Sequence, residues 1–318
     1  MELEKIITES SDFVKLNEEI AGEKLAKSIL LISKDQYYSM EFARYLAIQI
    51  FNNGQFINNE NAQKVKCDSH PDMKTFPAKE RLMVADSENI VQESVIKPIF
   101  ANKKVFIIKN IENGMEAAQN KLLKTLEEPA SNVYFILTTS NVNLVLPTIR
   151  SRCNKVELGK VSDKIIMDLL GGNENSSLIT ALSDGCVGKA IELENKESLI
   201  QVFSACKDIV CRLKSSKEVL AYSKRLLAFK DDFKLMIEIL SIIIEDLLMI
   251  KGRCKDSVRL KNYLADLLQV ESEYTIKAIV EIRSVLDKAV KEMSYNCNFT
   301  VVFENLLLSI LEVKYICR

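Results

Sequence analysis

The chain has 318 residues, 47% hydrophobic and 27% charged, the composition of a globular protein long enough for two or three domains. Its formal net charge of -1 argues against a wide basic face that would grip a phosphate backbone unaided, and leaves room for a local basic patch. No apolar run is long enough to span a bilayer, and residues 1–11 are acidic without the apolar core of a signal peptide, so a cytoplasmic protein without membrane contact is expected.

In chain order, Ser10 to Lys27 reads as a helix with Phe13, Leu16, Ile20 and Leu25 on one side. Ser28 to Ile32 is an apolar strand. After the loop that follows it, Phe42, Leu46 and Ile50 mark a helical stripe. Phe51 to Lys66 is polar, rich in asparagine and loop-like. His70, the only histidine, stands in Ser69-His70-Pro71-Asp72 as a turn residue; acid or base work would need a partner within reach, and none is evident. Met73 to Phe76 is a second strand. Glu80 to Phe100 holds the apolar piece Leu82-Met83-Val84 and then a helix whose stripe is Ile90, Ser94 and Lys97 with Val91, Val95 and Ile99.

Lys104 to Ile108 has the apolar, β-branched make-up of a buried parallel strand. Gly114 to Glu128 has helical spacing through Met115, Ala118, Leu122, Leu123 and Leu126, and Pro129 stops it. Val133 to Leu137 is the next strand. Thr138, Thr139, Ser140 and Asn141 follow at its carboxyl end, where open α/β sheets place their sites. Lys155 to Leu158 is the last strand. Val161 to Lys196 holds short helices broken at Gly171-Gly172. From Glu197 onward there is no proline and a single glycine. Apolar residues recur there at helical spacing, as in Phe203, Cys206, Ile209 and Val210, then Leu235, Ile239, Ile242, Ile243 and Leu247. Further helices are read near 258–270, 273–293 and 299–313. This half is an all-helical bundle.

Eight cysteines, Cys67, Cys153, Cys186, Cys206, Cys211, Cys254, Cys297 and Cys317, form no CxxC pair. Scattered thiols of this kind read as reduced, small core residues rather than disulfides or metal ligands.

Two blocks, Asn120–Pro129 (NKLLKTLEEP) and Leu146–Cys153 (LPTIRSRC), resemble the bacterial clamp-loader branch of the AAA+ proteins. That branch comprises the motor (gamma/tau) and delta-prime subunits of the DNA polymerase III holoenzyme. The resemblance implies an α/β AAA+ module, a parallel sheet flanked by helices, over residues 1–160. It implies a small helical lid over 161–196 and an all-α collar over 197–318 that holds subunits in a ring. Asp184 to Ala190 resembles the family's GSxGxA turn.

The departures from the family point to a degenerate nucleotide site. In a hydrolysing relative the first strand-loop-helix carries GxxxxGK[ST], whose backbone N–H groups and lysine hold phosphates. The matching positions here are Ser33, Tyr38, Ser39 and Met40, and Lys34 lies at the wrong end of the loop. The family's acid pair, which holds Mg²⁺, is replaced by Lys109-Asn110-Ile111-Glu112. Glu112 reads as a solvated acid at a helix start. Thr138 to Asn141, where active relatives sense the γ-phosphate, are expected to be structural. The helix KAIELENK lacks the family's sensor arginine. Where many relatives hold four cysteines around zinc, only Cys67 is present, too few for a tetrahedral site. No metal or nucleotide of its own is expected; ATP and Mg²⁺ would be bound by partner subunits.

Arg152, in Ser151-Arg152-Cys153, matches the family's trans-acting arginine. The resemblance makes it catalytic in trans, with Ser151 and Cys153 fixing the turn, Arg150 a supporting charge, and Glu127, Glu128 and Pro129 supporting the motif. The expected role is that of a delta-prime-like stator in a five-membered hetero-oligomeric ring with the motor and delta subunits. That ring opens the sliding clamp and places it on primed DNA, as part of a DNA-directed DNA polymerase (nucleotidyltransferase, a transferase) holoenzyme active in DNA replication. Two alternatives stay open: an active motor ATPase, and a scaffold that contributes nothing to hydrolysis.

Overall fold

The computed structural model describes residues 2–295 and 297–316. They form two compact units. One runs to Leu169 and includes Gly185–Lys189; the other holds Leu170–Asp184 and the chain from Ala190 onward.

The first unit contains, in order, α1 (Glu2–Thr8), α2 (Ser11–Ala21), β1 (Ser28–Ile32), α3 (Gln36–Phe51), α4 (Glu60–Lys66), β2 (Met73–Phe76), α5 (Val84–Ser94), β3 (Lys104–Ile108), α6 (Glu116–Glu127), β4 (Val133–Thr139), α7 (Pro147–Arg150), β5 (Asn154–Glu157) and α8 (Asp163–Leu169). Its strands are all parallel, in the order β2-β3-β4-β1-β5. Parallel strands need crossover connections, which cover the sheet with helices and bury the strands. Accordingly Ile29 to Leu31, Val105 to Ile108 and Phe135 to Leu137 are fully buried. Phe106 and Phe135 stack with ring centroids 5.2 Å apart. The chain leaves β1 for β2 on one side and passes from β4 to β5 on the other. The carboxyl ends of β1 and β4, aligned with Ile32 opposite Thr139, therefore flank the switch point where such sheets bind ligands.

Several local expectations are corrected. The first predicted helix stops at Ala21, with Gly22 as its C-cap, instead of reaching Lys27. The predicted loop 51–66 contains α4, because the Asn59 side chain accepts the Ala62 N–H at 3.1 Å and caps a turn of helix. The helix read within 80–100 ends at Ser94, which leaves Val95 and Ile99 78% and 82% exposed rather than on a core stripe. The chain beyond is pinned by the buried carboxylate of Asp72, which accepts the N–H groups of Ile99, Phe100 and Ala101 at 2.6, 2.7 and 2.7 Å.

The second unit is helical: α9 (Ser176–Ser183), the end of α10 (Val187–Glu194), α11 (Leu199–Arg212), α12 (Ser216–Leu226), α13 (Phe233–Lys251), α14 (Leu264–Val270), α15 (Ile276–Ser294) and α16 (Phe299–Ile316). α13 is apolar around most of its circumference and is buried accordingly. α9, α11 and α15 pack on it, and α16 packs on α15 and α12. The helix read over 258–270 is shorter, starting at Leu264 after a 3₁₀ turn at Lys261–Tyr263. The segment 161–196 contributes α8 to the first unit and α9 to the second. Among the described residues no helix is long and apolar enough to cross a membrane. Cys317 lies outside the described residues.

Candidate functional site

Only three residues, Ser33, Lys34 and Asp35, separate β1 from α3. Tyr38, Ser39 and Met40 thus lie inside the first turns of the helix instead of in a loop that could wrap phosphate. Tyr38 and Ser39 are buried, Met40 is half-buried and Lys34 points into solvent. Burial raises the Tyr38 phenol pKa. Ser33 is held by its N–H on the Thr139 carbonyl at 3.0 Å and by its hydroxyl, which accepts the Asp35 N–H at 3.1 Å.

Asp35 takes the place an anion would occupy. The open N–H groups and the dipole of a helix N-terminus attract negative charge. Here one carboxylate oxygen of Asp35 accepts the Tyr38 N–H at 3.0 Å and the other accepts the Gly188 N–H at 2.9 Å. Gly188 fits because it has no side chain: a Cβ there would stand 2.5 Å from Tyr37 Cβ and 2.8 Å from Asp35 Oδ1. Sequence reasoning passed over Asp35, although an aspartate just before a helical apolar run is the N-cap signal.

Beyond β3 the backbone turns through Asn110, in the left-handed region at φ 49, into a 3₁₀ turn at Ile111–Asn113. This turn brings Glu112 back over the end of β4. Glu112 is half-buried, and its Oε1 accepts both the N–H and the hydroxyl of Ser140, at 2.8 and 2.7 Å. The expectation of a solvated acid is therefore corrected: the bend after Asn110 gives the carboxylate a protein partner. The Thr138 hydroxyl accepts the Asn110 N–H at 3.1 Å, the Thr139 hydroxyl accepts the Asn141 N–H at 3.2 Å, and the Asn141 side chain caps the next turn. Lys109 instead lines an open groove with Pro77, Lys79, Glu80 and Arg81.

Arg152 sits in the turn after α7. The turn is built by the Ser151 N–H on the Pro147 carbonyl at 3.0 Å, the Arg152 N–H on the Ile149 carbonyl at 3.0 Å and the Ser151 hydroxyl on the Thr148 carbonyl at 3.1 Å. Cys153 anchors it from below, buried in the sheet core, where burial pushes its thiol up to about 12. The Arg152 guanidinium is half-buried and engaged. Its Nε donates to Glu127 Oε2 at 2.7 Å, Nη2 lies 2.7 Å from the same oxygen, and Nη1 donates to the Thr148 carbonyl at 3.0 Å. The two sequence blocks thus meet in space. Glu127 is the last residue of α6, the exposed Glu128 is its C-cap, and Pro129 follows. Arg150 is half-buried next to them.

His70 is a buried packing residue. Its ring stacks on Phe51 at 4.1 Å between centroids, Nδ1 accepts the Asp72 N–H at 3.1 Å, and Nε2 lies 3.3 Å from Asn61 Oδ1. Cys67 is exposed, and no group of three or more His, Cys, Asp or Glu that could hold a metal ion occurs among the described residues.

The parallel five-stranded sheet thus carries Asp35 at its switch point and the arginine turn just before its last strand. The comparisons point to a particular likeness: the chain is similar to delta-prime subunits of DNA polymerase III. The family model described as "DNA polymerase III, delta subunit" matches residues 9–162. DNA polymerase III subunit delta' of Haemophilus influenzae is 35% identical over 120 residues, which cover 36% of this chain and 37% of that protein. The subunit delta' of Bacillus subtilis is 23% identical over 266 residues, 79% of each chain. The chain thus spans little more than a third of the Haemophilus relative it matches. The crystal structure of a DNA polymerase III gamma subunit-related protein from Thermotoga maritima shares the fold, with a TM-score of 0.52 at 20% identity over 95% of this chain and 99% of that one.

Proposed function

We propose that this chain is a delta-prime-like subunit of a bacterial DNA polymerase III clamp loader. It turns over no ATP itself and lends Arg152 to the ATP site of a neighbouring motor subunit. The observation that carries the reading is Asp35: the helix end that would meet phosphate is already bonded to a carboxylate of the same chain. The arginine turn, by contrast, is intact. A planar guanidinium is suited to bidentate contact with phosphoryl oxygens in a way that lysine is not. An arginine supplied across an interface contributes roughly 10³–10⁵-fold to phosphoryl transfer. The motor subunits would bind ATP and Mg²⁺. The helical unit would be the collar that joins this chain to gamma/tau and delta partners in the cytoplasm, and the assembled ring would load the sliding clamp on primed DNA.

The test is ATP hydrolysis by a mixture of motor and delta subunits, with clamp and primed DNA, to which the intact chain or Arg152→Ala is added. The expected result is an inert isolated chain, an active mixture, and a lower rate with the substitution while the ring still assembles. Hydrolysis by the isolated chain would overturn the reading. No effect of the substitution would leave a scaffold without catalytic contribution.

A further inference from the structure

We infer that Glu127 is the positioning residue for Arg152: its carboxylate aims the guanidinium at the neighbour's phosphate. The inference rests on the reading that Arg152 serves a neighbouring ATP site.

A guanidinium carries five N–H donors. Glu127 Oε2 accepts the Nε–H and lies 2.7 Å from Nη2, and the Thr148 carbonyl accepts one N–H of Nη1. The carboxylate therefore lies along the Nε–Nη2 edge. At least one N–H on each terminal nitrogen is left over, and these suit a pair of phosphoryl oxygens. The Glu127 contact grips the side of the guanidinium rather than bridging its two terminal nitrogens.

The grip is on rigid supports. Leu122 and Leu126 of α6 and Ile149 of α7 belong to one buried cluster, together with Cys153. The buried Gln119 of α6 accepts the Leu146 N–H at 3.3 Å and donates to the Gly114 carbonyl at 3.1 Å. The carboxylate and the guanidinium thus ride on helices that share a core and a hydrogen-bonded cross-link. An arginine side chain alone has many rotamers, and misplacement by about 1 Å can cost on the order of 10²-fold in rate. Glu127 removes that freedom before the neighbour arrives.

The experiment uses the full chain in the assembled ring, with the motor subunits' own donated arginine replaced by alanine so that turnover depends on this chain. Five versions are compared: intact, Glu127→Ala, Glu127→Gln, Arg152→Ala, and Arg152→Ala combined with Glu127→Ala. Ring assembly and the far-ultraviolet circular dichroism of each are checked. The expected result is a fall in kcat of about 10- to 100-fold for Glu127→Ala with KM for ATP nearly unchanged. Partial rescue is expected with Glu127→Gln, whose amide oxygen still accepts an N–H. The double variant should be no worse than Arg152→Ala, because both changes remove one unit of function. If Arg152→Ala lowers kcat but Glu127→Ala leaves it unchanged or raises it, the positioning role is overturned while the donated arginine stands. If Arg152→Ala has no effect, the underlying reading fails instead.

Discussion

Arg152 Nε lies 2.7 Å from Glu127 Oε2, a contact between residues 25 apart in sequence that ties the last residue of α6 to the turn after α7. Each of the two sequence blocks, Asn120–Pro129 and Leu146–Cys153, supplies one partner. The pair is substantially exposed, the Glu127 side chain at 54% and Arg152 at 29%. Exposed pairs contribute about 0–1 kcal/mol. Glu127→Ala and Arg152→Ala should therefore each lower the stability of the isolated chain by less than about 1 kcal/mol in urea titrations. A larger loss would make the pair structural in the first place.

Asp35 should matter to folding more than its place on the surface suggests. Asp35→Ala removes an N-cap, worth about 0.5–2 kcal/mol, and also the acceptor for the Gly188 N–H. Gly188→Ala forces Cβ against Tyr37 and Asp35, and overpacking of this kind costs about 1–3 kcal/mol. Chemical denaturation should show both losses, and the double variant should lose less than the sum because the two sites share a contact. Amide exchange at Tyr38 and Gly188 should quicken in Asp35→Ala.

His70 gives a single imidazole to follow by NMR. Burial is the largest influence on it and lowers its pKa below the ordinary 6.5, with Asp72 opposing and Lys64 reinforcing. Its Nδ1 accepts the Asp72 N–H, which protonation would forbid. Because the folded pKa is depressed, the unfolded chain binds the proton more readily, so stability falls as pH drops below 6.5. A resonance midpoint below 6.5, and a shallower loss of stability toward pH 5 in His70→Gln, are the expected outcomes.

In the helical unit, Lys314 is only 2% exposed and its Nζ lies 2.5 Å from Glu273 Oε2, with Lys214 3.5 Å from the other oxygen. The Lys314 contact is the main reason that Glu273 is held below the ordinary 4.5. A depressed carboxylate stabilises the fold above its unfolded pKa, and that contribution is lost as pH falls through the folded one. Glu273→Gln should cost about 3–5 kcal/mol near pH 7, as breaking a buried pair does, and the deficit should shrink below pH 4.5. Glu273→Leu with Lys314→Met should recover most of it, since an apolar pair has no desolvation to offset.

The strands and the long helices were legible because their signal is repeated along the chain. Each predicted strand falls within two residues of the observed one, and Phe42, Leu46 and Ile50 of the α3 stripe are fully buried. Short polar helices were not. α1 was not foreseen, and α4 depends on the Asn59 cap rather than on an apolar stripe. The partners of buried charges were hidden too: Lys104 and Lys314 are each buried against a glutamate from another element. Nothing in a local pattern tells a paired buried lysine from an exposed one.

The sequence by itself determined which residue types stand where: Ser33, Tyr38, Ser39 and Met40 in place of the glycines and lysine of a phosphate loop, and Arg152 between Ser151 and Cys153. These are statements about residue types at fixed spacing, and spacing is written in the chain. Only the tertiary structure decided who meets whom. Asp35 is joined to Gly188 across 153 residues, Glu112 to Ser140 across 28, and Arg152 to Glu127 across 25. Such contacts form where parallel crossovers bring the carboxyl ends of strands and the ends of helices together. Their geometry is set by the packing of the sheet and its helices, and local propensity carries no record of it.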